Sequence, residues 1–558
     1  MWNQGWRDRI WADLDQAWDI IIIGGGITGA GILREAVRAG QRALLIEGQD
    51  FASGTSSRSS KLVHGGLRYL RNGQIKTTIS SVHERERLLK EGAGLVTSLG
   101  FLYACYEDDS MPLWALGCGL ALYDLLGLRR GHKRYDATGL AAMAPGLRQA
   151  GLLGGYRYFD AQTDDARLVL RLIRESIRAG GQAINYAQVR LLLSQADGRV
   201  CGVALEDVSD PERRRSAEAL APIVINATGA WADTLRTQMG SQPRLRCLRG
   251  SHLVFPGRAL PLVRAVSFAH PYDGRPMFAL PWEGVTLFGT TDVDNRGMGA
   301  AEPGISTGEI EYLMDAVTYG FPGLSLEQDD IQTTFSGVRA VVDSGKADPS
   351  KESREHVLWS ENGLLTVTGG KLTTFRVMAH DALRAVKRSG LGRLRLRGAA
   401  VLHAPPDAGN WPEVDPYLRR RLAGRYGQDA LALVQSAGDS ELAPIDHELG
   451  RVALQAELRW AARVEGVVHL DDLLLRRVRL GLLLPRGGLD HMALIRAIAQ
   501  PELGWDDARW MAEQEAYTRE WRQFYAPPNA NDWPEVGEWP AERTPAEAAS
   551  PGSAVRPK

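Results

Sequence analysis

The first continuous apolar stretch of the chain is four isoleucines, Ile20–Ile23, set between Asp19 and a run of glycines. A short run of this kind marks a strand buried on both faces. Apolar positions then take a helical period as far as Arg38 and return to a continuous run at Ala43–Ile46, so residues 19–46 read as β-α-β. Residues 50–60 are rich in Ser and Gly and lack a period, which predicts a loop. A helix is expected over residues 79–90. Another starts near Asp164 and Asp165, whose carboxylates suit a helix N-terminus, and carries Leu168, Leu170 and Ile173. Residues 222–227 predict a further buried strand. Between about 245 and 370 the apolar runs are short and strand-like, at 253–255, 278–281, 285–289 and 364–368. After Pro405 the texture turns helical, at 418–422, 453–462 and 492–499. Residues 1–18 are polar with Trp2, Trp6, Trp11 and Trp18 spaced through them, an N-terminal extension. Residues 526–558, rich in Pro, Ala and Glu, predict a flexible tail.

With 558 residues the chain should form two to four domains, and it can bury a large core without staples. A net charge of −1 provides no general basic field, so nucleic acid is not an expected partner. Cys105, Cys118, Cys201 and Cys247 are too few and too scattered for a disulfide framework, and none forms a C-x-x-C pair. That usage predicts a reducing, intracellular compartment. No apolar run precedes Ile20, so the N-terminus does not read as a secretory signal. No H-E-x-x-H, G-x-S-x-G or metal-ligand cluster is present, and no metal is expected. Glycine, at 61 residues, is well above the usual share of about 7%. That excess predicts tight turns and close backbone approach to a ligand.

Gly24, Gly25, Gly26, Thr28 and Gly29 lie between the first strand and the first helix in a G-x-G-x-x-G arrangement. Gly24 permits the tight turn, Gly26 lets a pyrophosphate approach the backbone, and Gly29 lets helix and strand pack closely. Glu47 ends the second strand, where an acid takes ribose hydroxyls. The combination predicts a dinucleotide site. Two further strand ends with glycine, one at Thr228 and Gly229 and one at Gly370, Lys371, Leu372 and Thr373, suit a long buried flavin better than an exchanging nicotinamide. Thr55, Ser56, Ser57, Ser59 and Ser60, just after the second strand, are placed to donate to its pyrophosphate and ring.

Residues 55–70, with Thr55, Ser56, Ser57, Lys61, His64, Gly65, Gly66, Arg68 and Tyr69, resemble the FAD-dependent glycerol-3-phosphate dehydrogenase family. So do Gly250, Ser251 and His252, residues 289–292, residues 336–339 ending in Arg339, and residues 369–374. The matches run in order from about 19 to 376, with a looser helical match to about 525. Arg58 departs from the small residue more usual in its loop, leaving its effect on flavin contacts open. The resemblance implies an α/β fold: a Rossmann-like FAD-binding domain (19–400, discontinuous), with a β-rich substrate domain inserted at about 70–160 and 245–345. A C-terminal α-helical cap domain at 401–525 completes it.

The resemblance also implies oxidation of sn-glycerol 3-phosphate to dihydroxyacetone phosphate, with electrons passed to a membrane quinone. Lys61, His64, Gly65 and Gly66 join the FAD-binding residues on this basis. A phosphorylated polyol requires cations at the phosphate, for which Arg68, Arg339 and Lys371 are candidates. It also requires a base at the carbinol, for which His252 and His64 compete, with Lys371 or water remaining. Tyr69 is a candidate hydrogen-bond partner of substrate. Asp292 and Asp343 have no assigned role. Alternatives are an oxidase passing electrons to oxygen and a non-catalytic flavoprotein sensor or scaffold.

Residues 111–128 form the most apolar segment, followed by Arg129, Arg130, His132, Lys133 and Arg134. At 18 residues, with Asp124 inside, the insertion energy sums to about zero, which argues against a transmembrane span. A buried core helix and a shallow insertion against anionic headgroups remain, the latter implying peripheral attachment to the inner face of the cytoplasmic membrane. The sequence leaves oligomeric state open, a homodimer included.

Overall fold

The computed structural model describes residues 2–67, 70, 74–127, 131–295, 303–346, 352, 354–388, 400–403, 411, 414–438 and 440–527. The apolar run Ile20–Ile23 is a strand with all four residues buried. It pairs in parallel with Ala43–Ile46 on one side and Val224–Asn226 on the other. Leu364–Gly369 continues the parallel sheet beyond Val224–Asn226, and Gln182–Ile184 extends it beyond Ala43–Ile46. His356–Glu361 adds an antiparallel edge. These six strands come from four distant parts of the chain, and the helix Ile27–Arg38 crosses between the first two, as its period predicts. The predicted helix after Asp164 is Asp165–Arg178, with the Asp164 side chain accepting from Arg167 N–H as its N-cap.

The strand-like runs between 245 and 370 belong mostly to a second, ten-stranded sheet that also takes in Val96–Tyr106 and Leu152–Thr163. Alternation along Leu245–Pro256 sends Val254 to one face and Leu253 and Phe255 to the other. The Val254 face packs against C-terminal helices through Leu458, Trp510 and Trp521. Ile310, Leu313 and Val317 of the helix Thr307–Gly320 pack on the opposite face. A three-stranded antiparallel sheet over Ala187–Ser194, Val200–Asp207 and Ser216–Leu220 was not distinguished by the pattern of apolar runs.

The N-terminal lead is built into the core. Trp6–Ala12 is a helix, and Trp2, Trp6, Trp11 and Trp18 are all buried with the first sheet. Trp2 stacks on Phe51 with ring centroids 4.9 Å apart and donates its indole N–H to Ala183. The surrounding polar residues obscured this role: Arg7, for example, reaches Asp207 at 2.6 Å. The tail from residue 528 onward lies outside the described residues.

Buried charge joins the C-terminal helices to the first sheet. Asp50, fully buried, is held by Arg476 (2.5 Å) and Arg477. Arg425 reaches Asp164 at 2.8 Å, and Arg167 reaches Glu465 at 2.6 Å.

Candidate active site

Gly24 has φ +111°, and a Cβ there would lie 2.5 Å from the Ala227 carbonyl oxygen. A Cβ on Gly29 would lie 1.9 Å from the Gly24 carbonyl oxygen. No side chain fits either place, so the strand ends and the helix start are locked together by backbone contact. Gly26 is the helix N-cap and offers no capping oxygen. Ile27 N–H bonds Ser56 Oγ at 2.9 Å, joining the serine loop to the helix start. Glu47 accepts from Gly25 N–H at 2.6 Å and Gln49 N–H at 2.8 Å, while burial pushes its carboxyl pKa up. A narrow backbone cradle, a helix dipole and an acid at the strand end fit the pyrophosphate and ribose of FAD.

The remaining cofactor candidates fall around this cradle in different ways. Thr228 bonds Asn226 Oδ1 at 2.7 Å, and Gly229 accepts from Thr368 at 3.1 Å, so the two strand ends meet. Thr55 donates to the Val338 carbonyl. Ser57 is buried and bonded to the Gly54 carbonyl. Gly370, Lys371, Leu372 and Thr373 lead into the helix Phe375–Arg388, and Thr373 Oγ1 donates to the His64 carbonyl at 3.2 Å. The second glycine loop therefore touches the loop of His64, Gly65 and Gly66.

The side chain of Lys61 points elsewhere. It is 1% exposed and donates to Asp165 (2.9 Å) and to the Ser57 carbonyl (2.5 Å). Burial, with Arg479 nearby, lowers its pKa to about 7. Arg479 Nη2 also reaches the Ser57 carbonyl, at 2.8 Å. The two cations hold the serine loop from behind. The Arg58 guanidinium lies 5.5 Å over the Tyr525 ring, toward the C-terminal helices.

His252 and Phe335 are cross-strand partners, and their rings stack 4.6 Å apart. Ser60 Oγ is 2.8 Å from His252 Nε2, whereas Nδ1 has no hydrogen-bond partner among the described residues. Burial, with Arg339 and Lys61 nearby, holds its pKa well below 6.5, so the ring is neutral at pH 7. His64 is lowered to about 4 by burial and by Lys371. Lys371 is lowered to about 7 by burial, with Asp160 opposing that shift and Arg354 adding to it.

Arg339 bonds Asp292 at 3.2 Å and Thr290 at 3.1 Å. Arg354 reaches the other Asp292 oxygen at 3.0 Å, and Arg275 lies 3.7 Å from it. Three guanidiniums thus converge on one carboxylate that is only 1% exposed. In the sequence Arg354 is one of several charges between Lys351 and Glu355, and Arg275 lies in a turn-like stretch after Asp273, so neither stands out; only their shared contact with Asp292 marks them. Arg68 and Tyr69, expected at the substrate, lie outside the described residues. Among the described residues no cluster of potential metal ligands is present.

A model of the FAD-dependent oxidoreductase family matches residues 19–376, and one of the C-terminal domain of alpha-glycerophosphate oxidase matches 382–510. An aerobic glycerol-3-phosphate dehydrogenase of Bacillus subtilis is 37% identical over 68% of this chain and 69% of its own. Glycerol-3-phosphate dehydrogenase 2 of Mycobacterium bovis is 34% identical over 92% of both chains. The crystal structure of a glycerol-3-phosphate dehydrogenase from Bacillus halodurans, complexed with FAD, superposes with a TM-score of 0.75 at 27% identity. It covers 94% of this chain and 98% of its own. The glycine cradle, the fold and these relatives agree with the resemblance carried by the motifs: the chain belongs to the FAD-dependent glycerol-3-phosphate dehydrogenase family.

Proposed function

We propose that the protein oxidises sn-glycerol 3-phosphate to dihydroxyacetone phosphate and passes the electrons to a membrane quinone. The observation that carries the substrate is the convergence of Arg275, Arg339 and Arg354 on Asp292. Three guanidiniums and one carboxylate leave two units of positive charge, which match a phosphate ester dianion. Arg forks suit phosphate oxygens, and the adjacent carboxylate keeps the forks gathered before substrate arrives. Lys371 adds a cation, and Arg68 and Tyr69 are assigned to the same substrate by the family pattern. When bound, FAD supplies the hydride acceptor.

His252 is the base on this reading. With Nε2–H donated to Ser60 Oγ, the ring is oriented and Nδ1 is left to take the carbinol proton. Contacts that anchor the phosphate orient the carbinol carbon beside the base, so proton and hydride leave from one defined geometry. Anaerobic titration with sn-glycerol 3-phosphate should bleach the flavin, and a flavin unchanged by saturating substrate would refute the reaction. Arg339→Ala should lower kcat/KM roughly 10- to 150-fold, the equivalent of about 1.5–3 kcal/mol for a charge-assisted contact. Bound FAD should not change. Unphosphorylated glycerol, a poor substrate, should lose much less; equal losses would assign Arg339 to flavin or fold. An oxidase reading draws on the family description of residues 382–510, and hydrogen peroxide formed stoichiometrically under air without quinone would favour it.

The helix Leu113–Leu126 supports peripheral membrane attachment. It buries Leu116, Leu120 and Tyr123 but exposes Trp114 (71%) and Leu125 (68%), combining the core and surface roles left open by the sequence. Lys133 and Arg134 follow on an exposed strand; Arg129 and Arg130 lie outside the described residues. Among the described residues no helix is long and apolar enough to cross a membrane. The intact protein should float with anionic liposomes, and changing Arg129, Arg130, Lys133 and Arg134 to Gln should reduce flotation. Equal flotation, together with quinone reduction indifferent to lipid, would refute attachment. Inner-face localisation belongs to the same proposal.

A further inference from the structure

One oxygen of Asp160 gathers three donors from three parts of the chain. Asp160 lies near the end of the strand Leu152–Thr163 and is buried. Its Oδ1 accepts from Arg85 at 2.6 Å, from the Tyr123 hydroxyl at 2.8 Å and from Gly65 N–H at 3.1 Å. Arg85 donates to the Tyr123 oxygen as well, at 2.9 Å, closing a triangle. Gly65 is close against it: a Cβ there would lie 2.3 Å from the Tyr123 hydroxyl oxygen. Tyr123 belongs to the helix Leu113–Leu126, whose far side carries the exposed Trp114 and Leu125.

We propose that Asp160 is a positioning residue for the reaction, fixing the loop of His64, Gly65 and Gly66 through Gly65 N–H, and that Tyr123 ties this fixation to the outer apolar helix. The inference rests on the reaction proposed above, in which this loop lies beside the flavin and Lys371 meets substrate. A carboxylate oxygen with three donors has little freedom, so the backbone that it holds has little freedom either. Removing the Tyr123 hydroxyl leaves Arg85 and Gly65 on an oxygen no longer anchored from the helix. The charge acts on the same groups. Lys371 faces Asp160, Arg354 and His64; His64 faces Lys371, Asp160, Arg354 and Arg85. Asp160 itself faces Arg85, Tyr123 and Tyr158. Among these, its carboxylate favours the protonated form of Lys371, whose pKa burial lowers to about 7.

The experiment uses the full FAD-loaded protein and follows anaerobic flavin reduction by sn-glycerol 3-phosphate across pH, per bound flavin. Asp160→Asn should slow reduction roughly tenfold and move the basic limb of the profile to lower pH, because Lys371 then loses its proton more readily. Tyr123→Phe, which keeps the ring and its packing, should slow reduction severalfold. The double variant should be no slower than Asp160→Asn, since the hydroxyl acts through the carboxylate. A wild-type flavin that stays oxidised overturns the assigned reaction and this inference with it. A reducible wild type, with both single variants matching its rate and pH limb, overturns the inference alone. A loss of FAD or of melting temperature with an unchanged rate per bound flavin assigns the triangle to the fold and also overturns it.

Discussion

A Gly26→Val protein will purify folded and colourless. The backbone at Gly26 has φ −79° and ψ −173°, extended geometry that valine adopts freely, so the change introduces no backbone strain. Its Cβ would meet Ser56 Oγ at 3.1 Å, a contact relieved by a small movement of one hydroxyl. The methyl groups then fill the space over the helix N-terminus that a pyrophosphate requires, and they push Ser56 from Ile27 N–H. The flavin absorbance per protein should fall to the level of an apoprotein while far-ultraviolet circular dichroism is retained. Stoichiometric FAD in the folded variant would show that the phosphates lie elsewhere.

Asp50→Ala should have the largest effect on stability. Arg476 and Arg477 both end on Asp50, and Asn185 donates to it at 3.0 Å. Deleting the carboxylate leaves two guanidiniums buried without it, a loss of about 3–5 kcal/mol for a broken buried pair. Although burial alone would raise its pKa, Arg477 and Arg476 hold the Asp50 carboxyl well below the ordinary carboxylate range. A depressed pKa contributes stability that is complete above the unfolded value of about 3.9 and is lost as pH falls below it. The variant should therefore melt lower at pH 7 and lose less than the wild type on acidification from pH 5 to 3. Thermal melts at both pH values test this. An unchanged melting temperature at pH 7 would show that the arginines find other partners.

The parts legible in the sequence are those set by neighbours. Ile20–Ile23, Ile27–Arg38 and Ala43–Ile46 follow from apolar period and glycine placement within 30 residues, and Asp164 announces its helix by capping it. The substrate side was less legible. Motifs single out Arg339 and Lys371 as candidates for the proposed phosphate site, but Arg275 and Arg354 acquire meaning only where register and turns carry them to Asp292. Lys61 shows the converse. It lies in a motif beside the flavin loop, yet a carboxylate 104 residues away, Asp165, draws its ammonium inward. The lead of tryptophans was misleading because its polar residues dominate composition, whereas the spacing of its rings decides what is buried.

The strand order of the first sheet also sets a timetable for synthesis on the ribosome. The central strand Ile20–Ile23 is made early, but its neighbour Val224–Asn226 emerges some two hundred residues later, and Leu364–Gly369 later still. Gly24 rests on Ala227, so the turn that would receive phosphate has no floor until then. Contacts so distant along the chain form slowly, and until they form the isoleucine strand has an unpaired edge, a target for aggregation. Flavin capture is thus a late event in the life of the nascent chain. A chain released before residue 364 lacks a sheet strand and cannot complete the cofactor site, however much of its glycine motif it contains.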